Sequence, residues 1–140
     1  MYRHPLPAVL AILLGCTLFA SPANAQKKKL QPTGTWKGSV ADLTLQTLAP
    51  ASGHLSDEKA LARLWEAWKV EGNMPKVDFK NELILVATTR GSRLQISPVL
   101  DDNGNLAVLA VATRDLRDGF RYEILKVSRE GVKTINGKQL

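Results

Sequence analysis

The chain has 140 residues with a formal net charge of +6, 44% hydrophobic residues, three tryptophans, one cysteine and two histidines. That length suits one domain with a single core, the lone cysteine excludes an intrachain disulfide framework, and His54 as the only histidine after residue 25 excludes a multi-histidine metal centre in the part expected to fold. Arg3 and Lys27-Lys28-Lys29 carry four of the excess charges, which leaves +2 for the rest and excludes a strongly basic nucleic-acid fold.

The first residues carry Arg3, and Leu6 to Ala20 is almost wholly apolar before Ser21-Pro22-Ala23-Asn24-Ala25. A charged start, an apolar run too short for the about 20 residues of a membrane span, and small side chains at Ala23 and Ala25 predict a signal peptide over residues 1–25, cut before Gln26. Leu13-Leu14-Gly15-Cys16 also resembles a bacterial lipobox, which would make a lipidated Cys16 the only membrane attachment. Either cleavage predicts an exported protein of the periplasm, cell envelope or exterior.

Residues 26–34, QKKKLQPTG, read as a basic linker, since Pro32 and Gly34 block regular structure. Residues 35–140 read as one α+β domain. Within it, Leu43 and Leu45 alternate with Thr44 and Gln46, so the stretch from Trp36 to Leu48 is expected to be a strand. The stretch SDEKALARLWEAWKVEG is the clearest element. Leu61, Leu64, Trp65 and Trp68 form one apolar helix face, Ser56 is the expected N-cap, Asp57 and Glu58 complement the dipole, and Gly72 is placed to stop the helix.

Leu83 to Ala87 is a continuous apolar run, the pattern of a central strand. Leu94, Ile96 and Val99 predict a second strand with Pro98 near its end or at a bulge, and Asp101-Asp102-Asn103-Gly104-Asn105 a hairpin turn whose Asn-Gly suits a tight primed turn. Leu106 to Ala112 follows as a third strand. Phe120 to Val127 is a fourth, with Phe120, Tyr122 and Ile124 alternating against Arg121 and Glu123, and Val132 to Ile135 adds a short last one. The expected fold class is α+β, with one amphipathic helix packed on an antiparallel, meander-like sheet.

No P-loop, Gly-x-Gly-x-x-Gly or Gly-x-Ser-x-Gly motif occurs. His54 stands alone in a loop context before the helix. The oxygens of Asp101 to Asn105 are spaced for a weak Ca²⁺ site but lack the distant glutamate of an EF-hand, and a plain hairpin accounts for them. Asp115 and Asp118 alternate with Arg114 and Arg117 as an ion-paired loop would. No catalytic residues, no metal ligands and no cofactor are therefore expected, and the chain reads as a non-enzyme.

Arginine placement is uneven. Arg90, Arg93, Arg114, Arg117, Arg121 and Arg129 lie in the C-terminal half, and only Arg63 lies on the helix. If neighbouring strands bring Arg90 or Arg93 beside Arg114, Arg117 and Arg121, they form a patch for carboxylates or phosphates, because guanidinium binds both in bidentate fashion; separate arginines paired with Asp115, Asp118 and Glu123 are the plainer arrangement.

Over roughly residues 55–130, "ALARLWEAW", "MPKVDFKNELILVATTRGSRLQI" and "FRYEILKVS" together resemble the C-terminal domain of PrcB-type protease-complex subunits. Pro75, Val77, Asp78, Phe79, Leu83 to Ala87, Gly91 and Arg93 carry the likeness. Where that family commonly has a Thr-Gly-Gly-Tyr type turn after the arginine, this chain has Leu94-Gln95-Ile96. The resemblance implies an exported bacterial protein that assists another as a non-catalytic partner. The residues taken alone give Asp78 the part of a turn cap and Phe79 that of core filler under Trp65.

The expected function is an exported, non-enzymatic protein-interaction module, an accessory subunit that recruits another exported protein by an exposed sheet edge, with the arginines supplying selectivity. The alternative is a binder of an anionic envelope polymer or glycan through arginines and the lysine leader, without nucleic acid in either case.

Overall fold

The computed structural model describes residues 26–140. The signal peptide read into residues 1–25, Cys16 included, lies outside the described residues. In chain order the described residues form β1 (Lys28–Lys29), β2 (Gly34–Val40), a 3-10 helix (Leu43–Leu48), β3 (His54–Leu55), α1 (Glu58–Ala67), β4 (Glu82–Thr89), β5 (Leu94–Leu100), β6 (Asn105–Ala112), β7 (Phe120–Ser128), β8 (Thr134–Ile135) and β9 (Lys138–Gln139).

The layering follows from the apolar run of β4. Leu83, Ile84, Leu85 and Val86 are all buried, and successive strand residues point to opposite faces, so this strand is covered on both sides. Ile84 and Val86 pack with Leu61, Leu64, Trp65 and Trp68 of the helix segment. Leu83 and Leu85 pack instead with Ile96, Leu106, Leu125, Val127 and Ile135. β7 divides in the same way, Phe120, Tyr122 and Ile124 toward the helix, Leu125 and Val127 toward the second core. Each fully buried aliphatic side chain contributes about 1.5–3 kcal/mol relative to exposure, so both cores matter to stability.

Two sheets result. One is four-stranded in the order β2-β7-β4-β3 with every pair antiparallel; the other is five-stranded in the order β1-β5-β6-β8-β9, where β6 and β8 are parallel. The expected single meander is therefore corrected to two mostly antiparallel sheets, with α1 on the outer face of the first. The reason is the two-sided burial of β4 and β7, which one helix covers on one side only.

Local differences have local causes. The alternation at Leu43 and Leu45 belongs to a 3-10 helix and not to the strand, because the Asp42 side chain accepts the Thr44 N–H at 2.9 Å and caps a turn there. The helix N-cap is Asp57, accepting from Ala60 N at 2.8 Å, one residue after the expected Ser56. The helix ends at Ala67, well before Gly72, and Lys69 takes a left-handed φ of 49° as the chain reverses. In the 101–104 turn only Gly104 is left-handed, at φ 82°, which replaces the expected primed turn, where two such residues are needed for the Asn-Gly type. The basic linker is also partly ordered: Lys28 and Lys29 pair with Leu100 and Val99, and Leu30 packs into the second core.

The Trp65 indole donates to Gly72 O at 3.2 Å and the Trp68 indole to Leu45 O at 2.9 Å, so both rings are buried with their polar atoms satisfied. Trp36 meets Trp65 edge-on at 5.4 Å, and Trp68 meets Phe120 edge-on at 5.3 Å. Asp78 caps its turn, accepting from Lys80 N at 3.1 Å, and Phe79 is half-buried against the helix-side core. Among the described residues no helix is long and apolar enough to cross a membrane.

Candidate functional site

Strand pairing gathers the singled-out arginines at one end of the molecule. Arg121 lies opposite Thr89, one residue from Arg90; Arg117 N donates to Arg90 O at 2.9 Å; and Thr113 N donates to Arg93 O at 3.1 Å, next to Arg114. The loop after β6 is thus stitched to the loop between β4 and β5. Ser92 holds it further, its N–H donating to Asp115 Oδ1 at 3.0 Å. That bond, then Thr113 and the Arg117 Nε at 2.9 Å, hold the Asp115 carboxyl well below the usual carboxylate range.

The arginines differ in what they face. Among the described residues Arg117 alone of the five has a carboxylate within ion-pair distance, while Arg121 donates to the Asp118 carbonyl at 3.1 Å. Glu123, an expected arginine partner, is instead taken by Lys37 at 3.3 Å. Arg93 and Arg121 line one cleft of about 530 Å³, with Lys37, Leu94, Val111 and Ala112 among its other walls. Arg90 and Arg114 are exposed at its margin and do not line it. Arg129 serves structure, donating to Phe79 O at 3.0 Å.

A second feature adjoins the first. β6 pairs with β5 along its whole length, but on its other side β8 covers only Asn105 and Leu106. The Val108 N–H is met by the Asn136 side chain at 2.9 Å. Beyond it, Ile96 N turns away from β6 toward Glu123, so the facing Ile96/Ala110 pair is a non-hydrogen-bonded one. The N–H and C=O of Ala110, and by alternation those of Ala112, therefore point out of the sheet on its open side. Two of the three most exposed large apolar side chains of the described residues stand on this strand, Leu109 at 53% and Val111 at 68% exposure; the third, Leu116 at 74%, is in the loop that follows.

Two signals for this region were in the sequence, the arginine bias and the apolar run of β6. Lys37, Glu123 and the bare edge were not, since each depends on which strands become neighbours. The remaining candidates fall to structural duties. His54 sits on β3 opposite Leu85, with a buried Nδ1 that has no hydrogen-bond partner among the described residues. Asp101 Oδ1 is occupied by the N–H groups of Asn103 and Asn105, both at 2.9 Å, which is hairpin work. Among the described residues no three His, Cys, Asp or Glu side chains are grouped as a metal site.

No family model matches the chain, and no curated protein or solved structure is recognisably similar to it.

Proposed function

We propose that the protein is an exported, non-enzymatic interaction module that takes an extended segment of a partner protein by strand addition at the open edge of β6. The observation that carries this reading is the bare backbone at Ala110 and Ala112 with Leu109 and Val111 exposed beside it. An unprotected edge ordinarily carries a lysine, a proline or a bulge that blocks pairing, and the sequence Ala107 to Ala112 has no charge and no proline. An added strand would satisfy the free amides and carbonyls and cover the two apolar side chains. The arginines at the same end favour a partner segment of acidic character.

The alternative, an anionic polymer held by arginines and leader lysines together, has weaker support. Lys28 and Lys29 pair at the Val99–Leu100 end of β5, whereas Arg93 adjoins its other end, so the two cationic groups do not form one track.

The test places a photo-reactive p-benzoylphenylalanine at Val111, or at Arg63 on the helix, in the protein produced in its native cell envelope. A stoichiometric protein adduct from position 111 and none from position 63, lost on introducing Ala110→Pro, is the expected result. Absence of any adduct from 111, or an adduct indifferent to the proline, would overturn the reading.

A further inference from the structure

We infer that the cleft lined by Arg93 and Arg121 is a carboxylate site, and that its occupant is the glutamate side chain of the acidic partner segment. This names the partner's chemistry and so rests on the interaction reading above, although the cleft itself is tested apart from it. The charges around the cleft are the starting point. Lys37 is neutralised by Glu123 at 3.3 Å, and Asp115 is neutralised by Arg117 at 2.9 Å. Arg93 and Arg121 have no carboxylate partner among the described residues, so they leave two uncompensated guanidinium groups on one cavity of about 530 Å³.

The walls select among anions. Leu94, Val111 and Ala112 give the cleft an apolar side, which a bare inorganic anion would leave wet and a carboxylate on an aliphatic stem would cover. Guanidinium forks pair with carboxylate oxygens two at a time, so two arginines can hold one carboxylate in a fixed orientation. Position also fits. Val111 and Ala112 belong both to the cleft wall and to the end of β6 whose edge is open, so a strand lying along that edge runs toward the cleft.

The experiment follows the arginine Nε–Hε signals of the purified protein by NMR during titration with four probes: glutarate, inorganic phosphate, the blocked peptide Ac-Val-Glu-Val-Glu-Val-NH2 and its Gln twin. Glutarate should move the Arg93 and Arg121 signals and leave Arg63 still, with phosphate weaker. The Glu peptide should bind about tenfold or more tighter than the Gln twin, and Arg93→Gln or Arg121→Gln should erase that difference. Ala110→Pro, whose N–H makes no ladder bond, should weaken both peptides and spare glutarate; Leu109→Ser, which lies outside the cleft and removes no backbone donor, should do the same.

Failure of glutarate and the Glu peptide to move Arg93 and Arg121 would overturn the carboxylate site, and phosphate binding more tightly than glutarate would overturn the choice of anion. Glutarate binding with equal affinities for the two peptides would overturn the glutamate occupant. Gln-peptide binding that Ala110→Pro abolishes would, in the first of these cases, leave strand addition standing alone.

Discussion

Among the described residues Glu123 should be worth more to stability than any other charged residue, and Glu123→Ala is the test. Its side chain is 4% exposed between the sheets, where one oxygen accepts the Ile96 N–H at 2.7 Å and the other meets Lys37 at 3.3 Å. Alanine strands the Ile96 amide at a point where β6 does not reach it and β1 does not extend to it. An unsatisfied buried donor costs about 1–3 kcal/mol. Lys37 adds little, because its side chain is 55% exposed and water replaces the lost carboxylate. The lost packing of the Glu stem is offset in part by relief from burying a charge, so the expected loss is about 2–3 kcal/mol. Glu123→Gln keeps an acceptor for Ile96 and should lose only about 1 kcal/mol, and Lys37→Ala less still. Urea denaturation followed by far-UV circular dichroism reads these as a midpoint shift of about 1–2 M for alanine. A loss under about 0.5 kcal/mol for alanine, or equal losses for Glu123→Ala and Lys37→Ala, would refute the claim that the carboxylate acts chiefly on the β5 amide.

Gly38→Ala should lower the thermal midpoint by an amount equivalent to about 1–3 kcal/mol, since a Cβ there stands 2.5 Å from the Tyr122 hydroxyl and that ring is packed against Trp68; an unchanged melt would mean the ring moves aside freely. The Asp115 carboxyl should titrate below the ordinary aspartate value of about 3.9, so whatever stability it lends is present above that pH and fades as pH falls through its lower folded value. Carbon-13 NMR of the carboxyl, with Ser92→Ala expected to raise it, decides the point; titration at the ordinary aspartate value would count against it. Lys28→Gln/Lys29→Gln should leave stability within about 0.5 kcal/mol of the parent, while removal of residues 26–30 should lower it, because Leu30 N donates to Pro98 O at 2.9 Å and its side chain enters the second core. Equal melts for the two variants would show that the leader's strand is incidental.

Much of the secondary structure was legible because single-strand patterns are local. The apolar stripe from Leu61 to Trp68 and the run from Leu83 to Ala87 state their own period. The second sheet was harder to see. Phe120, Tyr122 and Ile124 alternating with Arg121 and Glu123 looks like a strand with one wet face, yet Leu125 and Val127 continue that face into a core and take Glu123 inside with them. The Leu43–Leu48 stretch misleads for a different reason: two leucines two apart suit a strand, and Asp42 outweighs them by capping the turn. The arginine end was half legible, since composition located the residues and only the pairing of Thr89 with Arg121 and of the two loops brought them together. The bare edge of β6 was illegible in its own residues, because the strand that stops short beside it is Thr134–Ile135.

The position of β7 has a consequence for how this chain comes into being. The strand made of residues 120–128 lies between β2 and β4 and joins them in the sheet, so Gly34 finds its neighbour at Lys126, far along the chain. A ribosome delivers this keystone only after β2, β3, α1 and β4 have been made. Until it emerges, the tryptophan-bearing helix has half a platform and the second core lacks Leu125 and Val127. Such long-range closure makes folding slow and late. Neither core can close before residues 120–128 are in place, so the segments made earlier wait on them.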